Sequence, residues 1–394
     1  MKRYSALLTV LAVSTLVCAP APRAQDGAAA LIARIEAPQT PNREGWDPYT
    51  LQELMERFNV PGASIAVIKD YQIAWTKAYG QADVTTKSLV TPATMFQAAS
   101  ISKPVTAMAA MRLVQEGRLM LDEDVNKILT SWKVPASGAW QAPVTPRTLM
   151  SHTSGSDDGF GFPGYDPSAP LPTLVQILNG EPPSNVGKVL FTRPPYQAFK
   201  YSGGAVTLMQ LALGDLTRQP FAAFMRASIL SPLAMNDSTY EQPIPEPMAS
   251  RTARGHSREG LARDVKWHVY PEQAAAGLWT TPSDLAKAAI EVQKALRGPK
   301  GAVLTQASAR EMTTPVGVGP YAVGFSIEKR GEGWYFSHGG SNWGFQCMLL
   351  AHVRKGYGVA VMTNADSGGR LLNEVVARVG AAYKWDTLDK PLPR

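Results

Sequence analysis

The sequence is poor in cysteine and in charged residues. Only two cysteines occur in 394 residues, and Lys, Arg, Asp and Glu make up 18% of the chain, while 45% of the residues are hydrophobic. Two cysteines exclude a disulfide scaffold, and the apolar composition excludes an intrinsically disordered chain or a long coiled coil. A chain of this length buries enough apolar surface to fold without disulfides or metal.

Basic clusters and membrane-length apolar runs are also missing. The formal net charge of +7 falls to +4 when the three basic residues of segment 1–24 are set aside, and no run of Lys or Arg occurs elsewhere. We therefore predict no nucleic-acid partner. The five histidines show no spacing typical of metal ligands, so we expect neither a metal nor another cofactor.

Segment 1–24 has the pattern of a secretory leader. Lys2 and Arg3 precede an apolar run at 6–19, which is shorter than the about 20 residues of a membrane span. We predict a signal peptide cleaved after Ala24 and a periplasmic or secreted protein, residues 25–394, without a stable membrane anchor; Cys18 leaves a lipoprotein as the alternative. The apolar neighbours of Cys347 predict a buried, unreactive thiol.

Strand patterns lie towards both ends of the chain, and helix patterns lie between them. An α+β fold follows, with an antiparallel sheet built from both termini, flanked by helices, and a mostly helical inserted lobe. The sheet lobe comprises about 48–95 and 270–394, and the helical lobe about 96–269. The predicted strands are 64–68, 72–79, 321–328, 334–337, 345–353 and 357–363, and the predicted helices are 103–116, 146–151, 204–218, 221–230, 282–297 and 371–383.

Ser100 and Lys103 stand at the mouth of an apolar helix. Residues three apart share one helix face, so the two side chains can touch. A lysine desolvated there has a lowered pKa and can take the serine proton, which would make Ser100 a nucleophile. The alternative is a helix cap beside a surface lysine. Ser326 and Lys329 repeat the spacing in a predicted strand, where the two side chains point to opposite faces.

Two further segments could complete a site. Tyr201 opens another apolar helix and could relay a proton if nearby cations acidify its phenol, although a core tyrosine is the alternative. The glycine-rich segment 336–344 lies between predicted strands, so a ligand could approach its backbone closely. The backbone N–H of Ser341 could then bind an oxyanion beside that of Ser100, or the segment could be a plain hairpin turn.

In this order, the segments resemble the serine β-lactamase and penicillin-binding-protein superfamily, specifically its class C-like branch with esterases and D-amino-acid peptidases. The resemblance covers about 50–385. It rests on Ser100-Ile101-Ser102-Lys103 for S-x-x-K, Tyr201-Ser202-Gly203 for Y-x-N, His338-Gly339-Gly340 for K-T-G, and the blocks 149–155 and 276–285.

The resemblance implies an active site between the two lobes. Ser100 would attack an acyl carbon, Lys103 and Tyr201 would pass its proton to the leaving group, and the N–H groups of Ser100 and Ser341 would hold the oxyanion. His338, Gly339 and Gly340 would contact the substrate. His338 replaces a lysine whose charge binds a carboxylate, and a histidine is mostly neutral at pH 7.

Gly203 replaces an asparagine whose amide would hold the substrate, and Asn342 is the predicted substitute. Both departures favour carboxylic esters or small amides as substrates. A β-lactamase or D-amino-acid peptidase remains an alternative, as do a binding module acylated without turnover and a transacylase. The expected partner is a small acyl substrate. Aromatic side chains could line its cleft or pack internally, namely Phe160, Phe162, Tyr165 and Trp343.

Overall fold

The computed structural model describes residues 23–39, 45–135, 143–158 and 161–386. Most of the predicted leader lies outside the described residues. Helix α1 begins at Arg23, so the predicted cleavage after Ala24 falls in its first turn. Among the described residues, no helix is both long and apolar enough to span a membrane.

Nine strands and twelve α-helices are described. The strands are β1 Gly62–Lys69, β2 Gln72–Asp83, β3 Ser88–Leu89, β4 Phe96–Gln97, β5 Trp279–Thr280, β6 Ser326–Arg330, β7 Gly333–Asn342, β8 Phe345–His352 and β9 Gly358–Thr363. The helices are α1 Arg23–Glu36, α2 Leu51–Arg57, α3 Ser102–Gln115, α4 Pro146–Met150, α5 Leu174–Asn179, α6 Gly203–Thr217, α7 Phe221–Met225, α8 Glu246–Ala249, α9 Gln273–Ala276, α10 Pro282–Arg297, α11 Gln306–Glu311 and α12 Gly369–Ala382.

The main sheet has seven strands in the order β3-β2-β1-β9-β8-β7-β6. All of its pairings are antiparallel, and β1 from the N-terminal part lies beside β9 from the C-terminal part. The sheet is therefore built from both ends of the chain, with most helices inserted between them. The predicted α+β fold is confirmed.

The sheet separates two hydrophobic cores. Alternate residues of β1 enter different cores, since Ile65 and Val67 pack with α1, α2 and α12, whereas Ala66 and Ile68 pack towards α10 and the inserted helices. A strand buried on both faces reads as a continuous apolar run. Cys347 is buried, as predicted, in the core on the side of α10 and the inserted helices, and its thiol donates to the Ala98 carbonyl at 2.9 Å.

Two predicted strands exist, but their predicted bounds were wrong. The strand predicted from 321 begins only at Ser326, because Gly324 adopts φ +92° and a Cβ there would lie 2.6 Å from the Ala107 side chain of α3. The strand predicted at 334–337 runs on to Asn342, and the chain turns only at Gly344, whose φ is +78°. The glycine-rich segment is therefore strand, and the ladder to β8 fixes its backbone.

Candidate active site

Ser100 lies in a one-turn 3₁₀ helix, Ala99–Ile101, between β4 and α3. The preceding Ala99 has φ +48°, a left-handed conformation that side-chain-bearing residues seldom adopt. The turn persists because its surroundings fix it: the Ala98 N–H donates to the Leu278 carbonyl at 2.8 Å, and β7 packs against it. Strain held in this way is typical of functional sites.

Lys103 occupies the first turn of α3 and is 3% exposed. Its Nζ donates to Ser100 Oγ at 2.9 Å and to the Ala275 carbonyl at 2.8 Å. Burial lowers the Lys103 pKa to about 7, and Asp158 partly opposes that shift. A large fraction of the amine is therefore neutral near pH 7 and lies within reach of the serine proton.

Tyr201 comes just before α6 and hydrogen-bonds the Ser100 side chain. Its ring centroid lies 5.0 Å from Lys103 Nζ. Burial raises the Tyr201 pKa above its ordinary value, so the expectation of an acidified phenol was wrong. The physical reason is that burial of the phenol, reinforced by the neighbouring Tyr321, penalises phenolate. Tyr201 can therefore act only as a neutral hydroxyl that accepts one proton while donating another.

Asp158 holds the beginning of α6 in place, which the sequence alone did not indicate. Its Oδ2 accepts from the Gly204 N–H at 2.7 Å, and its Oδ1 accepts from the Ser156 and Ser202 hydroxyls. Ser202 Oγ in turn accepts from the Ala205 N–H at 2.8 Å. The carboxylate lies at the positive end of the helix, where anions are stabilised.

His152 packs against Tyr201 and acts through a structural hydrogen bond. The two ring centroids are 4.2 Å apart, and Nδ1 accepts from the Ser202 N–H at 3.2 Å. Burial lowers its pKa well below the ordinary value, so the ring is neutral. His152 therefore has a structural role beside Tyr201.

His338 lies in β7 and is 3% exposed. Burial, reinforced by Lys103, lowers its pKa to about 3, so the ring carries no charge at neutral pH. Its Nδ1 lies 2.6 Å from the Gly339 carbonyl and must carry the hydrogen, which leaves Nε2 as an acceptor without a partner among the described residues. The neutral state agrees with the expectation that His338 supplies no fixed positive charge.

Gly340 lets β7 approach the serine turn. A Cβ at this position would lie 2.3 Å from the Ala98 carbonyl oxygen and 2.4 Å from Cys347 Sγ, closer than any real contact. The close approach brings Ser341 to the cleft that also exposes Ser100. The two residues predicted to supply the oxyanion donors, Ser100 of the 3₁₀ turn and Ser341 of β7, therefore line the same cavity.

The cleft has a volume of about 700 Å³. Its lining includes the predicted residues Ser100, Tyr201, His338, Gly339, Gly340 and Ser341. Unanticipated lining residues include Phe199, Pro320, Tyr321, Met348, Arg370 and Asn373. Phe199 and Tyr321 stack with ring centroids 5.5 Å apart. Nothing in the sequence marked them, because Tyr321 belonged to a predicted strand and Phe199 to a loop.

Several predicted substrate contacts lie elsewhere. Asn342 is 5% exposed, and its amide binds Gln97 and Ala276, so it does not replace the lost substrate amide. Trp343 stacks on His268, with ring centroids 4.0 Å apart, and the Arg263 guanidinium covers it.

Of the remaining aromatic predictions, the two that the structure describes do not line the cleft. Tyr165 is buried, and its hydroxyl accepts from the Asn185 N–H at 3.1 Å. Phe162 packs on the core beside Gly203, and Phe160 lies outside the described residues. Aromatic character alone could not show whether these side chains line the cleft or pack inside the protein. Within the described ranges, no group of three or more His, Cys, Asp or Glu side chains could hold a metal ion.

Comparisons with known proteins give a family match and several relatives. The family described as Beta-lactamase matches residues 50–382. The protein flp of Staphylococcus aureus strain N315 is 28% identical over 327 residues, which cover 79% of this chain and 61% of that protein, so the chain spans under two thirds of that relative. Esterase EstB of Burkholderia gladioli is 27% identical over 317 residues, covering 73% and 76%.

A solved structure shares the fold. The D-amino acid amidase from Ochrobactrum anthropi SV3 superposes with a TM-score of 0.68 at 23% identity, covering 91% of this chain and 98% of that one. At this identity the likeness concerns the fold alone.

Proposed function

This chain belongs to the β-lactamase family, and we propose that it is an exported serine hydrolase that forms an acyl-enzyme on Ser100 and cleaves carboxylic esters or small amides. One observation carries the proposal. Lys103 Nζ lies 2.9 Å from Ser100 Oγ in a buried site that lowers the lysine pKa to about 7. Nucleophile and base are thus already in contact.

Acylation begins with proton transfer. The neutral amine of Lys103 takes the Ser100 hydroxyl proton as Oγ bonds to the acyl carbon, and the carbonyl electron pair moves onto oxygen. The N–H groups of Ser100 and Ser341 stabilise that oxyanion. Tyr201 then gives its phenolic proton to the leaving oxygen or nitrogen and regains a proton from the Lys103 ammonium. The bond to the leaving group breaks as the carbonyl re-forms.

Deacylation follows the reverse route. Water adds to the acyl carbon as its proton passes to the Tyr201 oxygen and the phenolic proton passes to the neutral Lys103 amine. Lys103 then returns one proton to Ser100 Oγ as the acid leaves. The neutral His338 supports uncharged esters over carboxylate-bearing β-lactams, since no fixed positive charge stands at that position. The similarity to an esterase over most of both chains also supports carboxylic esters as substrates.

The decisive experiment combines labelling with turnover. The purified protein is exposed to a fluorophosphonate and to a fluorescent penicillin, then assayed with short-chain p-nitrophenyl esters, a chromogenic cephalosporin and D-alanyl peptides. We expect labelling at Ser100 and preferential ester hydrolysis, both abolished in Ser100→Ala. Ser326→Ala is the matched control, because Ser326 repeats the S-x-x-K spacing on β6, away from the cleft lining.

Four results would count against the proposal. A folded protein that neither probe labels would refute the nucleophile, and ester turnover that survives Ser100→Ala would do the same. Faster turnover of the cephalosporin or of D-alanyl peptides would favour the β-lactamase or peptidase alternative. Labelling without turnover would favour an acylated binding module.

A further inference from the structure

Asn342 is the last residue of β7 and directly follows Ser341. Its Nδ2 donates to Gln97 Oε1 at 2.9 Å and to the Ala276 carbonyl at 3.0 Å. Both amide hydrogens are therefore used inside the protein. Asn342 is 5% exposed and Gln97 is 1% exposed, so water does not compete for either contact.

Each partner of Asn342 belongs to a segment that carries a proposed catalytic group. Gln97 ends β4, three residues before Ser100, and its own Nε2 donates to the His268 carbonyl at 2.8 Å. Ala276 follows Ala275, whose carbonyl holds Lys103 Nζ at 2.8 Å. The Asn342 side chain thus connects β7, which carries Ser341, to the segment before Ser100 and to the segment whose carbonyl binds Lys103.

We propose that Asn342, together with Gln97, is a positioning residue that fixes the Ser341 N–H relative to the Ser100 N–H and so shapes the oxyanion site. This inference rests on the proposed function, since it presupposes that the two N–H groups hold an oxyanion. Such donors must lie within about 3 Å of the developing charge, and a misplacement of about 1 Å costs on the order of 100-fold in rate.

The position of Asn342 explains why β7 needs this bond. Only the Asn342–Phe345 pair follows the pairing of Ser341 with Gln346, after which the chain turns at Trp343-Gly344. Strand ends fray when nothing holds them. The Asn342 side chain holds the end of β7 by its hydrogen bonds to Gln97 of β4 and Ala276 of α9. These bonds add to the backbone pairing of β7 with β8.

Asn364 provides a matched control. It directly follows β9, is fully buried, and its Nδ2 donates to the carbonyls of Gln81 at 3.0 Å and Ala82 at 3.1 Å. Like Asn342 it makes two hydrogen bonds through its Nδ2, but both partners are backbone carbonyls of β2, and neither of its chain neighbours lines the cleft, whereas Ser341 beside Asn342 does. Truncating either asparagine removes a comparable set of hydrogen bonds from a buried strand end.

The test measures kcat and KM for a p-nitrophenyl ester, the inhibition constant of an arylboronic acid, and urea unfolding. The boronate is a tetrahedral analogue: Ser100 Oγ bonds to boron, its proton passes to Lys103, and a boron-bound oxygen occupies the oxyanion site. We expect Asn342→Ala to lower kcat about 10- to 100-fold with KM changed by less than about twofold. The inhibition constant should rise by the same factor as kcat falls.

The remaining variants separate positioning from stability. Gln97→Ala should also lower kcat. The double variant should have a kcat no lower than that of Asn342→Ala, because both substitutions break the hydrogen bond between Asn342 and Gln97. Asn364→Ala should lose a similar amount of unfolding free energy with kcat and the boronate constant unchanged. If Asn342→Ala does not fold, Gln97→Ala and Asn342→Ser carry the same measurements.

The inference is overturned if folded Asn342→Ala or Gln97→Ala keeps wild-type kcat and boronate affinity, or if Asn364→Ala loses both equally. Failure of the proposed function looks different, since the wild type itself would then be neither labelled at Ser100 nor active on esters. Retained labelling and turnover in the wild type, with no effect of Asn342→Ala, would reject the inference alone.

Discussion

Lys103 shows how one buried side chain determines a pH response. Only its neutral amine can accept the Ser100 proton, and burial lowers its pKa to about 7. Activity should therefore be low when the amine is protonated and should rise as pH increases through about 7. We expect kcat/KM for a neutral ester to show an ascending limb near pH 7, a range in which an ordinary lysine stays charged.

A control variant tests the origin of that limb. His338 also lies in the cleft, but its pKa is about 3, so it does not titrate near pH 7. His338→Gln should leave the midpoint of the limb unchanged even if turnover falls, whereas Lys103→Ala should abolish activity. A midpoint that moves by more than about one pH unit in His338→Gln would show that the histidine, rather than the lysine, controls the profile.

At the scale of elements, the beginning of α6 depends on Asp158. Asp158→Asn removes the negative charge that accepts from Gly204 and stabilises the helix N-terminus. We expect urea unfolding to show a loss of about 1 to 2 kcal/mol. Asp158 also raises the Lys103 pKa, so the ascending limb of kcat/KM should move to lower pH in this variant.

The neighbouring Asp157 supplies the comparison. Its carboxylate forms surface ion pairs with Lys200 and Arg193 and does not contact the α6 terminus. Asp157→Asn should change neither the pH profile nor the unfolding midpoint appreciably, because exposed pairs contribute little. If the two variants behave alike, Asp158 has no special role in holding the helix.

Elements also show where local patterns mislead. The glycines of β7 predict a turn when read locally, but they form a strand because the serine turn packs against that backbone and leaves no room for a Cβ at Gly340. The first five residues of the strand predicted at 321–328 are not strand for the converse reason, since Gly324 must turn against α3. In both cases a long-range contact overrides the local signal.

At the scale of the whole molecule, Arg378 joins the N-terminal segment to α12. Its guanidinium is fully buried and donates to the carbonyls of Tyr49 at 2.8 Å and Ala37 at 3.1 Å, with Glu374 3.6 Å away. We expect Arg378→Met to lower the free energy of unfolding by about 3 to 5 kcal/mol, because it leaves buried polar groups without this partner. Urea denaturation measures the loss.

Two further variants make that prediction specific. Combining Arg378→Met with Glu374→Leu should recover part of the loss, since the buried carboxylate is then removed as well. Lys127→Ala, which breaks an exposed pair with Glu123, should cost at most about 1 kcal/mol. A loss in Arg378→Met no larger than in Lys127→Ala would show that Arg378 does not anchor the N-terminal segment.

The sequence by itself determined the parts of this protein that depend on neighbours along the chain. The contact of Ser100 with Lys103 follows from helical spacing, and the two-sided burial of β1 follows from its continuous apolar run. The order of the strand and helix patterns determined the α+β architecture. The catalytic roles of Ser100, Lys103 and Tyr201, the leader and the export of the protein remain predictions.

Only the tertiary structure decided the contacts between residues far apart in sequence. Asn342 uses its amide on Gln97, 245 positions away, rather than on a substrate, and Asp158 reaches the beginning of α6 over 46 positions. The same is true of Phe199 and Tyr321 in the cleft and of the raised Tyr201 pKa. The physical reason is that hydrogen-bond partners and desolvation arise from packing between segments, for which spacing along the chain carries no signal.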